Sequence, residues 1–175
     1  MRKEIEIKFL EIDVPAVLRR LRAIGARKVF DGPLRASYWD YSDRRFSRRG
    51  EVLRLRQKGK KVEMVFKSSL SRREAKVMDE FETLVEDYRT AEAIFRKLGM
   101  KVIRKVEKRR ASFALGPDRF EIDRYPGIPP LLEIESHSMA GLRRMTAKLG
   151  LDLRQGLAWD SFQVLDHYRK KGRKK

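Results

Sequence analysis

Glu4-Ile5-Glu6-Ile7-Lys8-Phe9 alternates without exception between a charged and an apolar residue. A period of two marks a β-strand with one polar and one buried face, so Ile5, Ile7 and Phe9 point to a core while Glu4, Glu6 and Lys8 share the other side. Working outward, similar runs predict strands at 36–41, 52–58, 61–67, 79–85, 102–115, 119–124 and 131–136, eight with the first. Gly59-Lys60 and Gly116-Pro117-Asp118 supply tight turns between two pairs of them. A helix capped by Asp13 tolerates Pro15 in its first turn, carries Val17, Leu18, Leu21 and Ile24 as one stripe, and stops at Gly25. Further helices are predicted at 89–98, 139–149 and 158–168. Three times a Glu-x-Glu strand precedes a helix ending in glycine: Glu4/Glu6 to Gly25, Glu80/Glu82 to Gly99 and Glu133/Glu135 to Gly150. This is a loose echo of a strand-helix unit. Many strands with few long helices predict an α+β fold, an antiparallel sheet or barrel with helices packed outside it.

Charged residues on these strands come in pairs two apart. The acidic pairs are Glu4/Glu6, Glu80/Glu82, Glu121/Asp123 and Glu133/Glu135, and the basic sets are Arg54/Arg56/Lys58 and Lys108/Arg110. Any one pair reads as the wet face of a strand. If Ile5/Ile7/Phe9, Leu53/Leu55, Met64/Phe66, Phe120/Ile122 and Leu132/Ile134 all pack under helices, however, the charged faces converge on a common surface, which in a closed barrel is the lumen. Charges crowded there require one another, metal ions or a charged ligand. Paired carboxylates offer the hard oxygens that Mg²⁺ or Mn²⁺ needs, and facing Arg and Lys hold phosphate oxygens, so a linear triphosphate fits the pattern. The strand at 102–115 departs from it, because Lys105, Glu107 and Arg109 occupy the face that Ala111, Phe113 and Leu115 then make apolar. A bulge or an exposed edge accounts for such a break.

The chain has 175 residues, with 43 Lys and Arg against 25 Asp and Glu, a formal charge of +18. We expect a single domain over 1–168 and a disordered basic tail over 169–175, whose sequence RKKGRKK holds six of the cations. So large an excess implies a polyanionic partner: nucleic acid, an acidic membrane surface or a phosphorylated small molecule. No apolar run of membrane-spanning length exists and no apolar stretch follows Met1-Arg2-Lys3, so neither a membrane span nor a secretory signal is predicted. The absence of cysteine excludes disulfides and thiolate chemistry and makes the cytoplasm the expected compartment. His137 and His167 lack any metal or base spacing, Trp39 and Trp159 read as packing, and no Walker A loop, dinucleotide fingerprint or Ser/His/Asp set is visible.

Taken in order, Glu4-x-Glu6-x-Lys8, Tyr38-Trp39-Asp40, Gly50-Glu51-Val52-Leu53-Arg54-Leu55-Arg56, Phe66-Lys67, Lys108-x-Arg110-x-x-Phe113, Glu121-x-Asp123 and Leu132-Glu133-Ile134-Glu135 resemble the motifs of the CYTH family. This family, the triphosphate tunnel metalloenzymes, groups class IV adenylyl cyclases with thiamine triphosphatase, and the likeness covers roughly residues 2–165. It implies an eight-stranded antiparallel barrel whose tunnel binds a triphosphate with Mg²⁺ or Mn²⁺. Carried over by position, Glu4, Glu6, Asp123, Glu133 and Glu135 form the metal side, and Lys8, Arg54, Arg56, Lys67, Lys108 and Arg110 the phosphate side. Glu80 and Glu82 match a middle acidic strand, and Lys8, Arg56 and Tyr38 are the catalytic candidates. Two departures stand out. Pro126-Gly127-Ile128-Pro129-Pro130 replaces the usual Gly-Leu-Gly, and Ala36 stands where an acidic residue is common. The implied activity is metal-dependent hydrolysis of tripolyphosphate, thiamine triphosphate or another organic triphosphate such as ATP. One alternative is cyclisation of ATP to cyclic AMP and diphosphate, the branch whose opening and length this chain resembles. The other is non-catalytic binding of RNA or polyphosphate through the basic surface and tail. A monomer or a homodimer is expected, with no membrane partner.

Overall fold

The computed structural model describes residues 2–71 and 73–172, with the side chains of Arg2 and Lys3 excepted. Eight strands occur in chain order: β1 Arg2–Phe9, β2 Arg27–Asp40, β3 Glu51–Lys58, β4 Lys61–Ser71, β5 Lys76–Val85, β6 Lys101–Leu115, β7 Asp118–Arg124 and β8 Leu131–Ser136. They close into an antiparallel barrel in the order β1-β5-β4-β3-β2-β6-β7-β8. Closure leaves no edge strand and gives every strand an inner and an outer face. Among the described residues the helices are α1 Val14–Ala23, α2 Arg45–Arg48, α3 Tyr88–Lys97, α4 Met139–Lys148 and α5 Ser161–Gly172, with a 3₁₀ turn at Leu153–Gln155. None is long and apolar enough to cross a membrane.

The alternation of β1 decides which face is which. Ile5, Ile7 and Phe9 go outward and pack with Phe120, Ile122, Leu132 and Ile134 beneath Val17 and Leu21 of α1 and Leu142, Met145 and Leu149 of α4. Elsewhere Trp39, Leu53, Leu55 and Val62 receive Ala91 and Phe95 of α3. The echo of strand and helix is real: α1, α3 and α4 follow β1, β5 and β8 and end at Gly25, Gly99 and Gly150, all with positive φ, the left-handed stop that lets the chain turn back to the sheet. A third cluster joins Leu34, Ala36, Tyr38, Val106, Tyr125 and Leu131 to Val164 of α5. Tyr38 lines the internal cavity, so this cluster belongs to the inner faces and α5 lies against one end of the lumen.

Three expectations change. β2 begins at Arg27, not near residue 36, because Gly32-Pro33 concealed its first half. Pairing with β3 starts only at Leu34, so the proline lies where β2 has β6 as its one partner and a ladder hydrogen bond is not lost on the other side. The break in the β6 pattern marks a local edge, as one of the two expected accounts has it: Lys105 and Glu107 pair with β2 alone, because pairing with β7 starts only at Arg109, and Glu107 and Arg109 face outward to meet Arg35 and Asp31. α2 and the 3₁₀ turn were not anticipated. The buried Asp40 carboxylate organises α2 by accepting from Phe46 N, Ser47 N and Ser47 Oγ. Finally, the predicted tail over 169–175 does not begin at Arg169, since α5 continues through Gly172. Glu11 accepts from Tyr168 Oη at 3.0 Å and Lys171 Nζ at 3.1 Å, which offsets the clustered charge. Residues 173–175 lie outside the described residues.

Candidate active site in the barrel lumen

The inner faces enclose a cavity of about 220 Å³. Of the residues singled out from sequence, Glu4, Glu6, Lys8, Tyr38, Arg54, Arg56, Lys67, Glu80, Glu82, Lys108, Arg110, Glu133 and Glu135 line it. Asp123 is fully buried just behind, gripped by Arg110 through Nε and Nη2, both at 2.6 Å, and by Lys108 at 2.5 Å. Lys58 of the Arg54/Arg56/Lys58 set lines the cavity too, whereas sequence reasoning missed Glu63, Lys76, Met78, Ser112 and Arg119 as lining residues and left Glu121 without a role. The signal was there: counting back by twos from Lys67 reaches Glu63, and from Glu80 reaches Met78 and Lys76. Val65 and Met78 interrupt the charge in those runs and hid the rule.

The five carboxylates assigned to the metal side separate into two groups. Glu4, Glu6 and Glu135 can each offer one oxygen with all three atoms within 4.8 Å of one another. Glu133 and Asp123 instead serve cations. Glu133 meets Lys8 at 2.5 Å and Arg110 at 3.1 Å, completing a chain from Lys8 through Glu133 and Arg110 to Asp123. Lys8 also reaches Glu6 at 2.8 Å, as does Lys76, and Lys67 bridges Glu4 at 2.8 Å and Glu80 at 3.2 Å. Arg56 bonds Glu63 and lies 3.7 Å from Glu82.

Electrostatics follow from this division. Burial alone would push Glu6 up, yet Lys76 and Lys8 hold it down to about 2. Glu133 is likewise held well below the usual carboxylate range by Lys8 and Arg110 against its burial. Glu135 goes the other way: burial first, then the charges of Glu4, Glu133 and Glu121, raise it well above that range. Arg110 opposes the shift only weakly, and among the described residues Glu135 has no ion pair. A carboxyl held among carboxylates is relieved by a bound cation, and the all-oxygen donor set of Glu4, Glu6 and Glu135 fits Mg²⁺ or Mn²⁺ rather than a soft metal. The total points the same way. Nine acidic and nine basic side chains line the cavity, and Asp123 behind them makes the acids the more numerous. A lining without net positive charge gives a polyanion little overall attraction, and the oxygen donors of Glu4, Glu6 and Glu135 fit a divalent ion bound beside it.

The phenol of Tyr38, though buried, is held below the usual tyrosine range by Arg54 and Lys108, and its ring stacks edge-on against Phe162 of α5 at 4.5 Å. Among the described residues, three buried side-chain atoms have no hydrogen-bond partner: Arg54 Nε, Ser112 Oγ and Glu121 Oε2. All three residues line the cavity, and orphaned polar groups at one site are what a bound polar ligand would satisfy. The two departures from the family pattern lie together at the α5 end. Ala36 packs in the cluster beneath Val164, and Ile128 of the 126–130 loop packs on the same cluster. Trp39 lies outside the lumen against Phe95 and Arg96, Trp159 stacks on His167, and neither histidine lines the cavity.

Comparison with known proteins agrees with this geometry. A Methanocaldococcus jannaschii protein named as a candidate adenylate cyclase is 27% identical over 132 residues, 75% of each chain. The structure of a Vibrio parahaemolyticus protein, also named a candidate adenylate cyclase, matches with a TM-score of 0.81 at 18% identity over 94% of this chain and 98% of that one. A Hippeastrum protein described as a candidate adenylyl cyclase with a dominant triphosphatase activity matches with a TM-score of 0.67 at 14% identity over 95% and 96%. The family model of the CYTH domain matches residues 2–169, nearly the whole barrel and its helices, and the chain belongs to the CYTH family.

Proposed function

We propose that the protein is a divalent-metal-dependent enzyme that hydrolyses a triphosphate, inorganic or organic, within the barrel. The observation that carries this reading is the meeting in one lumen of the unanswered carboxyl group of Glu135, beside Glu4 and Glu6, with the buried guanidinium of Arg54, whose Nε has no partner. Mg²⁺ or Mn²⁺ held by Glu4, Glu6 and Glu135 would act as a Lewis acid toward phosphoryl oxygens. The remaining work falls to the chain. Arg54 presents its free N–H to phosphate, and Arg56 is aimed by Glu63 and Glu82. Lys8 and Lys67 are held between carboxylate pairs, so they meet substrate oxygens already oriented, which lowers the entropic cost of alignment. Together these cations stabilise charge on the transferred phosphoryl group and on the departing diphosphate, the main demand of phosphoryl transfer. Tyr38, acidified by Arg54 and Lys108, would be the proton donor to a leaving oxygen.

A second reading, cyclisation of ATP, is favoured by the relation to the candidate adenylate cyclase of M. jannaschii. Incubation with tripolyphosphate, thiamine triphosphate and ATP, each with Mg²⁺ or Mn²⁺, separates the two. Free phosphate from any of them is the expected product, cyclic AMP from ATP supports the cyclase, and neither product rejects catalysis on triphosphates.

A further inference from the structure

The inner face of β3 carries Arg54, Arg56 and Lys58 in succession, about 6.6 Å apart along the strand. The family motifs end at Arg56, yet Lys58 lines the same cavity. Its surroundings are unusual for a lysine in this lumen. Lys8, Lys67, Lys76, Lys108, Arg56 and Arg110 each have a carboxylate within ion-pair distance. Arg54 bonds Tyr38, and Arg119 bonds two backbone carbonyls. Among the described residues Lys58 has neither a carboxylate nor another acceptor. Its ammonium lies 4.8 Å over the ring of Phe30, and β4 sets Lys61 directly opposite. Like charges opposed across a ladder repel. The Phe30 ring in turn fits because Gly32 beneath it has no side chain, since a Cβ there would come within 3.3 Å of the ring. The strand end is therefore built to hold a cation without its anion.

We propose that Lys58 is a substrate-binding residue that contacts the third or a later phosphate of the chain, so that the lumen selects oligophosphates of three or more units over diphosphate. The proposal rests on the triphosphate reading above. A chain seated against Arg54 and Arg56 runs along β3 toward Lys58, and a diphosphate in that seat stops short. Burial, with Arg56 and Arg110 adding to it against the opposing charge of Glu121, pushes the Lys58 ammonium below the usual lysine range, consistent with a site that lacks its counter-anion. Lys58 is only partly buried, and Gln or Arg keeps a long side chain beside Phe30, so the barrel is expected to stay intact, as circular dichroism would show.

The test is calorimetric titration of wild type, Lys58→Gln and Lys58→Arg with tripolyphosphate and with pyrophosphate, in Mn²⁺. Lys58→Gln should weaken tripolyphosphate binding about 10- to 100-fold, the scale of one charge-assisted hydrogen bond, while Lys58→Arg restores most of it and pyrophosphate binding is unchanged. Equal losses for both ligands, or no loss for either, would overturn the proposal. A wild type that binds tripolyphosphate with this dependence on Lys58 but turns over no triphosphate would support the subsite and reject only the enzymatic reading.

Discussion

At the scale of single residues, the lumen sets apart groups whose charge is answered from one whose charge is not. Glu6 is depressed to about 2 by Lys76 and Lys8 despite its burial, so it stabilises the fold above its unfolded value of 4.5, and that contribution is lost as the pH falls from there toward 2. Glu135 has the opposite sign. Its raised value favours the protonated form, so native stability is lost as the pH climbs above the ordinary carboxylate range. Glu135→Gln is therefore expected to raise the melting temperature of the metal-free protein at pH 7 but not at pH 4, and Mn²⁺ should stabilise wild type more than the variant in the same scan. Glu6→Ala and Glu135→Ala should abolish turnover without unfolding the protein, as read by activity together with circular dichroism. Arg56→Lys keeps the charge but loses the planar fork, so kcat/KM should fall roughly 10²–10³-fold, about 3–4 kcal/mol, if the contact tightens in the transition state. Arg144→Lys on the exposed face of α4 is the silent control.

At the scale of elements, the site depends on how closely helices seat against strands. α4 begins at Ser138, whose Oγ accepts from Gly141 N at 3.0 Å, and runs directly over Ser136, whose hydroxyl donates to the buried Asp118 at 2.6 Å. A Cβ on Gly141 would overlap Ser136 Oγ and lie 3.1 Å from Ser138 Oγ. Gly141→Ala gains helix propensity, yet overpacking should outweigh it and cost about 1–3 kcal/mol, measurable by urea denaturation. Because Ser136 follows Glu135, weakened metal-dependent stabilisation is expected in the same variant. Elements also show what a sequence conceals. β1, β3, β7 and β8 were legible because their alternation is unbroken, whereas the first half of β2 hid behind Gly32-Pro33. The outward charges of β6 stand where it pairs with β2 alone, and strand pattern reports what covers a face as much as the strand itself.

For the molecule as a whole, the +18 charge and the lumen prove to be separate features. The cavity's lining is balanced and Asp123 tips it acidic, so the cationic excess lies on the outer surface and in the C-terminal segment. Deleting residues 169–175 should leave turnover of small triphosphates unchanged. The exposed Lys171–Glu11 pair is worth little, and Tyr168 still reaches Glu11. The same deletion should weaken nonspecific RNA binding and flatten its salt dependence, since six fewer cations release fewer counterions, and filter binding across a salt series measures both. A tenfold loss of turnover would instead mean that this segment supports α5 over the lumen. By itself the sequence determined that eight strands alternate, that their charged faces carry paired carboxylates and cations, and that these pairs stand in the order of the CYTH motifs. Alternation is a local property of successive side chains, so it can be read from neighbours alone. Only the tertiary structure decided which of those charges meet. Closure sets Lys8 against Glu133 and Lys67 against Glu4, brings Glu135 beside Glu4 and Glu6, and, among the described residues, leaves Glu135 without an ion pair and Lys58 without a carboxylate partner. Those pairings depend on strand order and register around the barrel, which join residues as far apart as Lys8 and Glu133 and leave no trace in the spacing of any one strand.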